Sequence, residues 1–263
     1  MSAVTITGLH SLKHSKTRFA CVTAYDAGFA RLAEQAGIEV ILIGDSLGMV
    51  VHGHTSTVLV TVDHMRYHTH MVNSGSNKAY LIADMPFASY ATKRDALANA
   101  KVLMQAGAHM VKLEGGKHLC EIITHLVQQG IPVCAHIGLT PQSVHVLGGY
   151  KVQGREENQA ALLSEASQTL QDAGAQLLVM ECMPETLAKH IDQQLDIPTI
   201  GIGAGRYTTA QVLVMQDLLG MTETPPRFVK NFLTQTNSIQ EALSAYATAV
   251  KEGHFPADEH CFQ

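Results

Sequence analysis

The sequence has no tryptophan, few aromatic residues and few charged ones, and these shortages exclude several classes of protein. Of its 263 residues, 16% are charged and 46% are hydrophobic, and the formal net charge is -5. An intrinsically disordered chain is excluded, because it would combine low hydrophobicity with high net charge. No apolar run approaches the roughly 20 residues that a membrane-spanning helix needs, so we predict no membrane association.

Basic clusters and cysteine pairs are also missing. The 18 Lys and Arg residues are outnumbered by 23 Asp and Glu residues and form no basic block, which predicts that the protein binds no nucleic acid. The five cysteines are scattered without a Cys-x-x-Cys pair, as is typical of reduced thiols. The amino terminus shows no basic stretch followed by an apolar segment, so we expect no secretory signal and a cytoplasmic location.

Short β-branched segments alternate with helical ones along nearly the whole length. The pattern predicts seven strands and a weaker eighth, near Phe19–Ala24, Val40–Ile43, Tyr80–Ala83, Met110–Leu113, Val133–Ile137, Leu177–Met180, Thr199–Ile202 and Leu218–Met221. Helices are predicted near Gly28–Gln35, Asp63–Asn73, Lys93–Gln105, Leu119–Gln129, Glu157–Ala173, Glu185–Gln194 and Thr209–Met215. The stretch before the first strand is predicted to be poor in helix, and a last helix is predicted over Ser238–Glu252.

Several predicted helices end on a glycine that the next strand follows closely, at Gly37, Gly107, Gly130 and Gly174. Glycine tolerates the left-handed conformation that closes a helix, and repeated strand–helix units imply parallel strands with crossover helices. Eight units in about 250 residues predict a (β/α)₈ TIM barrel. We expect residues 1–263 to form one such domain, with a short N-terminal extension and a C-terminal helix. A doubly wound open sheet is the alternative, although its nucleotide fingerprint is missing.

Ionisable side chains stand where several predicted strands end, and in a barrel those ends form one rim. They are Asp45 after the second strand, Asp84 after the third, Lys112 and Glu114 on the fourth, His136 on the fifth and Glu181 on the sixth. Each Asp taken alone is also a good helix cap. Burying several like charges together is costly unless a cation or base chemistry compensates, so the group predicts a functional site.

The carboxylates suit a hard divalent cation. Asp45, Asp84 and Glu114 offer the oxygen ligands that Mg²⁺ prefers, and Mg²⁺ leaves coordination positions open for water or substrate. A zinc site at the helical pair His64 and His68 is the weaker alternative, because the Glu of His-Glu-x-x-His is missing. The sequence therefore predicts magnesium at the rim.

Lys112 and Glu114 lie two residues apart on one strand, so both point into the barrel. The ammonium group of Lys112 is expected to anchor a substrate carboxylate. Two alternatives stay open, a Schiff-base lysine and a structural ion pair with Glu114. The glycine-rich turn at 201–205 also has three possible interpretations: a phosphate site, a site for a flat ligand, or a tight turn without a ligand.

Eight stretches occur together in an order and at a spacing typical of one enzyme family. They are TAYD at 23–26, GDSLGM at 44–49, ADMPF at 83–87, VKLEGG at 111–116, HIGLTPQS at 136–143, GGYKVQGR at 148–155, AGAQLLVMECMP at 173–184 and GIGAG at 201–205. They resemble the ketopantoate hydroxymethyltransferases, which are (β/α)₈ barrels of the phosphoenolpyruvate/pyruvate type. The sequence departs from the family pattern on loops, at Thr55, at Val58–Val60 and at Thr208–Ala210.

The resemblance implies a one-carbon transferase of pantothenate biosynthesis that moves a hydroxymethyl group from 5,10-methylenetetrahydrofolate to C3 of 3-methyl-2-oxobutanoate, giving 2-dehydropantoate. It implies Mg²⁺ and a homo-oligomer, a decamer of two stacked pentamers. Carried over to this sequence, the implied residues are Asp45, Asp84 and Glu114 for the metal, Asp45, Ser46, Asp84 and Lys112 for the keto acid, and Glu181 as proton acceptor. His136, on the neighbouring strand, is predicted to hydrogen-bond the keto acid or the new hydroxyl group.

Two other functions remain as hypotheses. One is a Mg²⁺-dependent aldolase or lyase that acts on a related keto acid without folate. The other is a non-catalytic keto-acid sensor or scaffold, which the presence of a candidate base disfavours.

Overall fold

The computed structural model describes residues 3–263, in which eight parallel strands close into a barrel. The strands are β1 (Phe19–Thr23), β2 (Val40–Ile43), β3 (Tyr80–Asp84), β4 (Met110–Glu114), β5 (Val133–Gly138), β6 (Leu177–Glu181), β7 (Thr199–Ile202) and β8 (Ala210–Leu213). Each strand pairs with the next along the chain, and β8 pairs with β1 with Phe19 opposite Ala210. The predicted (β/α)₈ barrel is confirmed, and the open-sheet alternative is wrong.

Helices surround the barrel and connect its strands. They are α1 (Ile6–His14), α2 (Ala27–Gln35), α3 (Leu47–Val50), α4 (Val62–Gly75), α5 (Lys93–Gln105), α6 (Cys120–Gln128), α7 (Val144–Leu147), α8 (Glu157–Asp172), α9 (Glu185–Gln194), α10 (Met215–Leu218) and α11 (Ile239–Glu252). The glycine after α5, Gly107, has φ +112°, which confirms the left-handed helix end predicted there. Within residues 3–263, no helix has the length and apolar character to cross a bilayer.

The barrel interior divides into two layers. The layer at the amino end of the strands is apolar, and it includes Phe19, Val40, Met110 and Leu177. Moving two residues along β4 from Met110 leads to Lys112, on the same face of the strand but in the polar layer at the carboxyl end. A separate apolar core fills the space between the barrel and the surrounding helices.

The stretch before β1 is helical, so the prediction of a helix-poor N-terminal extension is wrong. The side chain of Thr5 accepts a hydrogen bond from the backbone N–H of Gly8, 3.1 Å away, and caps α1. The intrinsic helix propensity of the segment is weakened by Gly8 and Ser11. Burial decides instead, because the fully buried Leu9 joins the apolar layer of the barrel and closes its amino end.

The eighth strand was predicted in the wrong place. The segment Thr209–Met215, predicted as a helix, contains β8, whereas the predicted strand at Leu218–Met221 contains the end of α10 and a turn. A short, largely apolar segment such as Ala210–Leu213 does not reveal by its periodicity whether it forms a strand or a helix. Pairing with β1 and β7 decides for the strand.

The predicted C-terminal helix is confirmed as α11. Ser238 caps it by accepting a hydrogen bond from the backbone N–H of Glu241, 3.1 Å away. The helix packs on β1 and α2 of the barrel. The hydroxyl group of its fully buried Tyr246 lies 2.8 Å from the carbonyl oxygens of both Cys21 on β1 and Gln211 on β8. The helix therefore covers the seam where the barrel closes.

Candidate active site

Strand register places the ionisable side chains beside one another. In the ladder, Asp84 on β3 pairs with Lys112 on β4, and Glu114 pairs with His136 on β5. Glu181 on β6 pairs with Gly138 at the end of β5. The carboxyl ends of five neighbouring strands, β2 to β6, therefore supply the whole predicted set.

Lys112 lies at the centre of this set, and its side chain is 3% exposed. Its Nζ is 3.1 Å from Oδ1 of Asp84, 3.2 Å from Oε1 of Glu114 and 3.2 Å from Nδ1 of His136. Burial lowers the pKa of Lys112, but the charges of Asp84, Glu114 and Asp45 outweigh this effect and raise it well above the usual value. A charged ammonium is a poor nucleophile, so the structure disfavours the Schiff-base alternative.

His136 links Lys112 and Glu114 to Glu181. Its Nδ1 lies 3.3 Å from Oε1 of Glu114, and its Nε2 lies 3.3 Å from Oε2 of Glu181. Burial and the charge of Lys112 lower the pKa of His136, and the two carboxylates outweigh them and raise it. The side chain of Glu181 is 15% exposed, against 2% for Glu114, so Glu181 faces the open part of the site.

Asp45 and Ser46 follow β2 and enter the site through a short turn. The backbone N–H of Asp45 donates to Oδ2 of Asp84, 3.0 Å away. The hydroxyl group of Ser46 lies 2.9 Å from that of Tyr25 and caps no helix. Neither Asp45 nor Asp84 caps a helix through its side chain, so the helix-cap alternative is wrong for both.

The three buried carboxylates have different proton affinities. Burial raises the pKa of Asp45 well above its usual range, and repulsion from Glu114 and Asp84 adds to this effect. Burial also raises the pKa of Asp84, although Lys112 opposes the shift. For Glu114, Lys112 and His136 outweigh the effect of burial and lower the pKa to about 2. Glu114 therefore keeps its negative charge most readily, whereas Asp45 and Asp84 take up a proton more readily.

A metal ion fits among these carboxylates. One oxygen atom from each of Asp45, Asp84 and Glu114 lies within 4.8 Å of the other two. In the part of the chain that the structure describes, these three residues are the one group of three or more His, Cys, Asp or Glu ligands that meets this distance. Oδ1 of Asp84 is buried and accepts no hydrogen bond of suitable geometry.

Gln142 is part of the site, and sequence reasoning assigned it no role. Its Nε2 donates to Oδ2 of Asp45 at 2.8 Å and to the carbonyl oxygen of Met85 at 2.9 Å. Its backbone N–H donates to Oε2 of Glu114 at 3.1 Å, and Tyr90 donates to its Oε1 at 2.6 Å. Gln142 therefore holds Asp45 and Glu114 in place. It stands in the HIGLTPQS stretch, which could have drawn attention to it.

The acidic residues lie at the bottom of a cavity of about 560 Å³. Drug-sized ligands occupy pockets of roughly 300–1,000 Å³. Ser46, Lys112, His136 and Glu181 line the same cavity, and Tyr150 stands near its rim. The structure thus brings together every predicted site residue around one space.

The predicted secondary candidates lie outside this group. His68 contacts the backbone carbonyl of Tyr25 through Nδ1 at 2.7 Å, and His64 accepts from the backbone N–H of Thr61 at 3.3 Å. Both imidazoles thus hold local structure. At the glycine-rich turn, the carboxylate of Glu185 accepts from the backbone N–H of Arg206, which places a negative charge where a phosphate would bind. The structure therefore disfavours the phosphate alternative for this turn.

The fold and the buried carboxylates define the class, a (β/α)₈-barrel enzyme with a candidate metal site at the carboxyl end of its strands. Phosphonopyruvate hydrolase, solved in complex with oxalate and Mg²⁺, aligns with a TM-score of 0.64 at 13% identity over 83% of this chain and 84% of that one. A 2,3-dimethylmalate lyase of the PEP mutase/isocitrate lyase superfamily aligns with a TM-score of 0.58 at 19% identity over 79% and 80%. These likenesses support the (β/α)₈ barrel fold.

Sequence comparison identifies the family. The ketopantoate hydroxymethyltransferase profile matches residues 3–258. A protein of Hahella chejuensis named 3-methyl-2-oxobutanoate hydroxymethyltransferase 2 is 56% identical over 261 residues, covering 99% of each chain. A 3-methyl-2-oxobutanoate hydroxymethyltransferase of Photorhabdus laumondii is 54% identical over 262 residues, covering 100% of each. The chain belongs to the ketopantoate hydroxymethyltransferase family of enzymes, as the sequence predicted.

Proposed function

We propose that this enzyme transfers a hydroxymethyl group from 5,10-methylenetetrahydrofolate to C3 of 3-methyl-2-oxobutanoate, giving 2-dehydropantoate, with Mg²⁺ bound. The names of the relatives support the acceptor and the reaction class. The observation that carries the proposal is the group of three buried carboxylates beside Lys112, with Glu181 facing the same cavity.

Asp45, Asp84 and Glu114 would hold the cation. Their oxygens match the preference of Mg²⁺, which binds to proteins through few carboxylates. Oδ1 of Asp84 makes no hydrogen bond of suitable geometry and has Nζ of Lys112 as its charged neighbour, 3.1 Å away. A barrel of the same type, phosphonopyruvate hydrolase, was solved with oxalate and Mg²⁺; oxalate resembles the carboxylate and keto oxygens of an α-keto acid. When bound, Mg²⁺ would stabilise as a Lewis acid the negative charge that develops on the substrate.

The keto acid would bind through Asp45, Ser46, Asp84, Lys112 and His136. Lys112 is the buried cation of this set, and it would neutralise the substrate carboxylate among the acidic side chains. The Ser46 hydroxyl and His136 supply hydrogen bonds that fix the orientation of the substrate. Because these groups lie on strands and short turns of the barrel, the substrate is held on rigid elements.

Glu181 would act as the base that removes the C3 proton. Within residues 3–263, His136 is the one Lys, Arg or His side chain within 4.0 Å of its carboxylate, so Glu181 is not neutralised by Lys112 as Asp84 and Glu114 are. His136 positions it through the 3.3 Å contact with Oε2. After proton removal, C3 would form the new carbon–carbon bond to the methylene carbon of the folate as one of its two carbon–nitrogen bonds opens. Water would then replace the remaining carbon–nitrogen bond, so that it supplies the hydroxyl oxygen of 2-dehydropantoate and tetrahydrofolate leaves.

The test follows deuterium exchange at C3 of 3-methyl-2-oxobutanoate by NMR in heavy water, without folate. Enzyme from which divalent ions have been removed with a chelator should show no exchange, and added Mg²⁺ should restore the exchange. Adding 5,10-methylenetetrahydrofolate should then give 2-dehydropantoate. Exchange without transfer would favour the folate-independent lyase, and no exchange under any condition would favour the non-catalytic sensor. Full activity of metal-free enzyme would contradict the role of Mg²⁺.

We also propose that the chain assembles as a homodecamer, on the strength of the family resemblance. Light scattering at micromolar concentration should then report about ten times the 28.4 kDa chain mass. A monomer in solution would contradict this expectation.

A further inference from the structure

The active-site cavity has a second wall that the keto acid does not explain. A five-carbon keto acid at the acidic end fills only part of about 560 Å³. Part of the remaining lining comes from the end of β8 and the segment that follows it, and this second wall includes Val214, Asp217, Thr222 and Phe228. Its charged side chains are Asp217 and Arg227, whereas β2 to β6 supply several carboxylates at the acidic end.

Asp217 is the carboxylate of this second wall, and it is 9% exposed. It lies in α10, where it accepts a hydrogen bond from the hydroxyl group of Thr222. Within residues 3–263, its side chain makes no other hydrogen bond and no ion pair within 4.0 Å of a cationic group. Burial raises its pKa, which Thr222 opposes. A buried carboxylate without a cation is costly to maintain, and the mechanism does not use this one.

Two aromatic rings belong to the same cavity lining as Asp217. Phe228 and Phe262 both line the cavity. A methyl group added at Gly203 would lie 2.7 Å from Cδ1 of Phe228 and 3.2 Å from Cε2 of Phe262, so both rings pack on this glycine. Gly203 itself has φ +59°, a conformation that favours glycine. The GIGAG turn thus shapes an aromatic, flat part of the wall.

We propose that Asp217 is the specificity-determining residue for the folate co-substrate, and that it binds the reduced pterin ring, which lies against Phe228 and Phe262. The pterin carries adjacent donors, its 2-amino group and N3–H, and a carboxylate accepts two such parallel hydrogen bonds. The ring is flat and largely apolar on its faces, as the aromatic wall requires. This inference rests on the proposed function, since it assigns a subsite to the proposed donor.

The second wall and the acidic end line one cavity. A pterin bound at Asp217 would therefore lie in the same cavity as the keto acid. Asp217 follows β8, and β1 separates β8 from β2, which precedes Asp45. The two substrates would therefore bind at the ends of different strands of the barrel. Asp217 touches neither the proposed metal ligands nor Glu181 through a hydrogen bond, so the two subsites can be altered separately.

The test measures binding of tetrahydrofolate by calorimetry under anaerobic conditions, with keto acid and Mg²⁺ present. Asp217→Asn keeps the shape and removes one acceptor oxygen and the charge. Losing a charge-assisted hydrogen bond should weaken binding roughly 10- to 100-fold. The matched control is Asp196→Asn, at an exposed position, which should bind as the wild type does. C3 exchange of the keto acid without folate should be unchanged in both variants.

A tetrahydrofolate analogue with a methyl group in place of the 2-amino group separates recognition from structural damage. The wild type should bind this analogue roughly 10- to 100-fold more weakly than tetrahydrofolate, whereas Asp217→Asn should bind the two about equally. Wild-type affinity for tetrahydrofolate in Asp217→Asn would overturn the proposal. So would an unchanged preference for the 2-amino group, or loss of C3 exchange together with folate binding.

Failure of the proposed function looks different. If folate is not the donor, the wild type itself fails to bind tetrahydrofolate or to transfer its one-carbon unit, while C3 exchange persists. That result would contradict folate as the donor, and the proposed pterin subsite would be contradicted with it. If instead the wild type binds and transfers while Asp217→Asn behaves identically, only the assignment of Asp217 fails.

Discussion

The two ends of the barrel interior are built from the same strands but differ in chemistry. On β4, the fully buried Met110 lies at the amino end, and Lys112 and Glu114 lie at the carboxyl end. On β5, Cys134 at the amino end is followed on the same face by His136. At the amino end Leu9 of α1 closes an apolar layer, whereas the carboxyl end opens into a cavity.

The difference separates stability from chemistry. Apolar burial at the amino end stabilises the fold at roughly 25 cal/mol per Å² of apolar area removed from water. At the carboxyl end, ionisable groups are buried against a desolvation cost that their mutual attraction only partly offsets. Removing the base at the carboxyl end should therefore change the rate of C3 exchange and leave stability unchanged, whereas removing apolar volume at the amino end should change stability and leave the rate unchanged.

The largest expected effect is at the carboxyl end. Glu181→Gln keeps the shape and removes the basic oxygen, so the rate of C3 exchange should fall roughly 10²- to 10⁴-fold. Keto-acid binding by calorimetry and the free energy of unfolding should stay near their wild-type values. Glu157→Gln, at an exposed position, is the control. Exchange at the wild-type rate in Glu181→Gln would make His136 the next candidate base.

Replacing Lys112 tests how far the buried carboxylates of the polar layer depend on this cation for stability. Lys112→Met removes the cation beside Asp84 and Glu114, which should lower the free energy of unfolding by about 3–5 kcal/mol near neutral pH. Urea denaturation measures the loss, and Lys101→Met, at an exposed position, is the control. Mg²⁺ should stabilise the variant against urea by occupying the acidic group. A variant as stable as the wild type would show that the carboxylates do not depend on Lys112.

At the amino end, Met110→Ala should lower stability and leave the rate of C3 exchange unchanged, the opposite of Glu181→Gln. The substitution leaves a cavity in a fully buried layer and should cost about 2–5 kcal/mol of stability. C3 exchange per folded molecule should remain at the wild-type rate, as measured well below the unfolding midpoint. Met221→Ala, at a residue 65% exposed, should change neither quantity. A loss of exchange in folded Met110→Ala would show that the two layers are coupled.

The smallest effect concerns a carboxylate outside the barrel at its amino end. Oε2 of Glu34 accepts hydrogen bonds from Ser76 and from the backbone N–H groups of Asn77 and Lys78, just before β3. Burial raises the pKa of Glu34, but these hydrogen bonds outweigh it and lower the pKa. The resulting stability is present above the unfolded glutamate pKa of about 4.3 and is lost as the pH falls through the lower folded value.

Glu34→Gln should therefore be less stable than the wild type near pH 7, by under about 1 kcal/mol after solvent screening. The difference should vanish as the pH falls below the usual glutamate range. Urea denaturation at a series of pH values measures this difference. A gap that persists in acid would show that shape, and not charge, explains the effect.

The site was largely predictable because it depends on short-range rules. The period of two on a strand places Lys112 and Glu114 on one face, and parallel strands bring their ends to one rim. The structure adds that β3, β4 and β6 each extend one residue further than predicted, so that Asp84, Glu114 and Glu181 belong to the ladder. Their roles in binding and catalysis stay predictions.

What the sequence did not reveal depends on contacts between distant segments. Gln142 reaches Asp45 across 97 positions of the chain, and no local pattern announces such a pairing. The position of β8 is fixed by its ladder with β1, near the opposite end of the chain. Likewise, α1 is stabilised by burying Leu9 inside a barrel that forms from later residues.

The way α11 covers the seam has a consequence for biosynthesis. The helix lies over β1, the first strand to leave the ribosome, and Tyr246 joins that strand to β8. Domains generally fold as units while the chain is made. Here, the first strand of the barrel is covered by a helix that is complete only when Glu252 has been made. Until β8 has been made, β1 keeps one edge unpaired, and until α11 has been made, its apolar face stays uncovered; such surfaces are aggregation-prone. The barrel should therefore stay prone to aggregation during synthesis until α11 has been made.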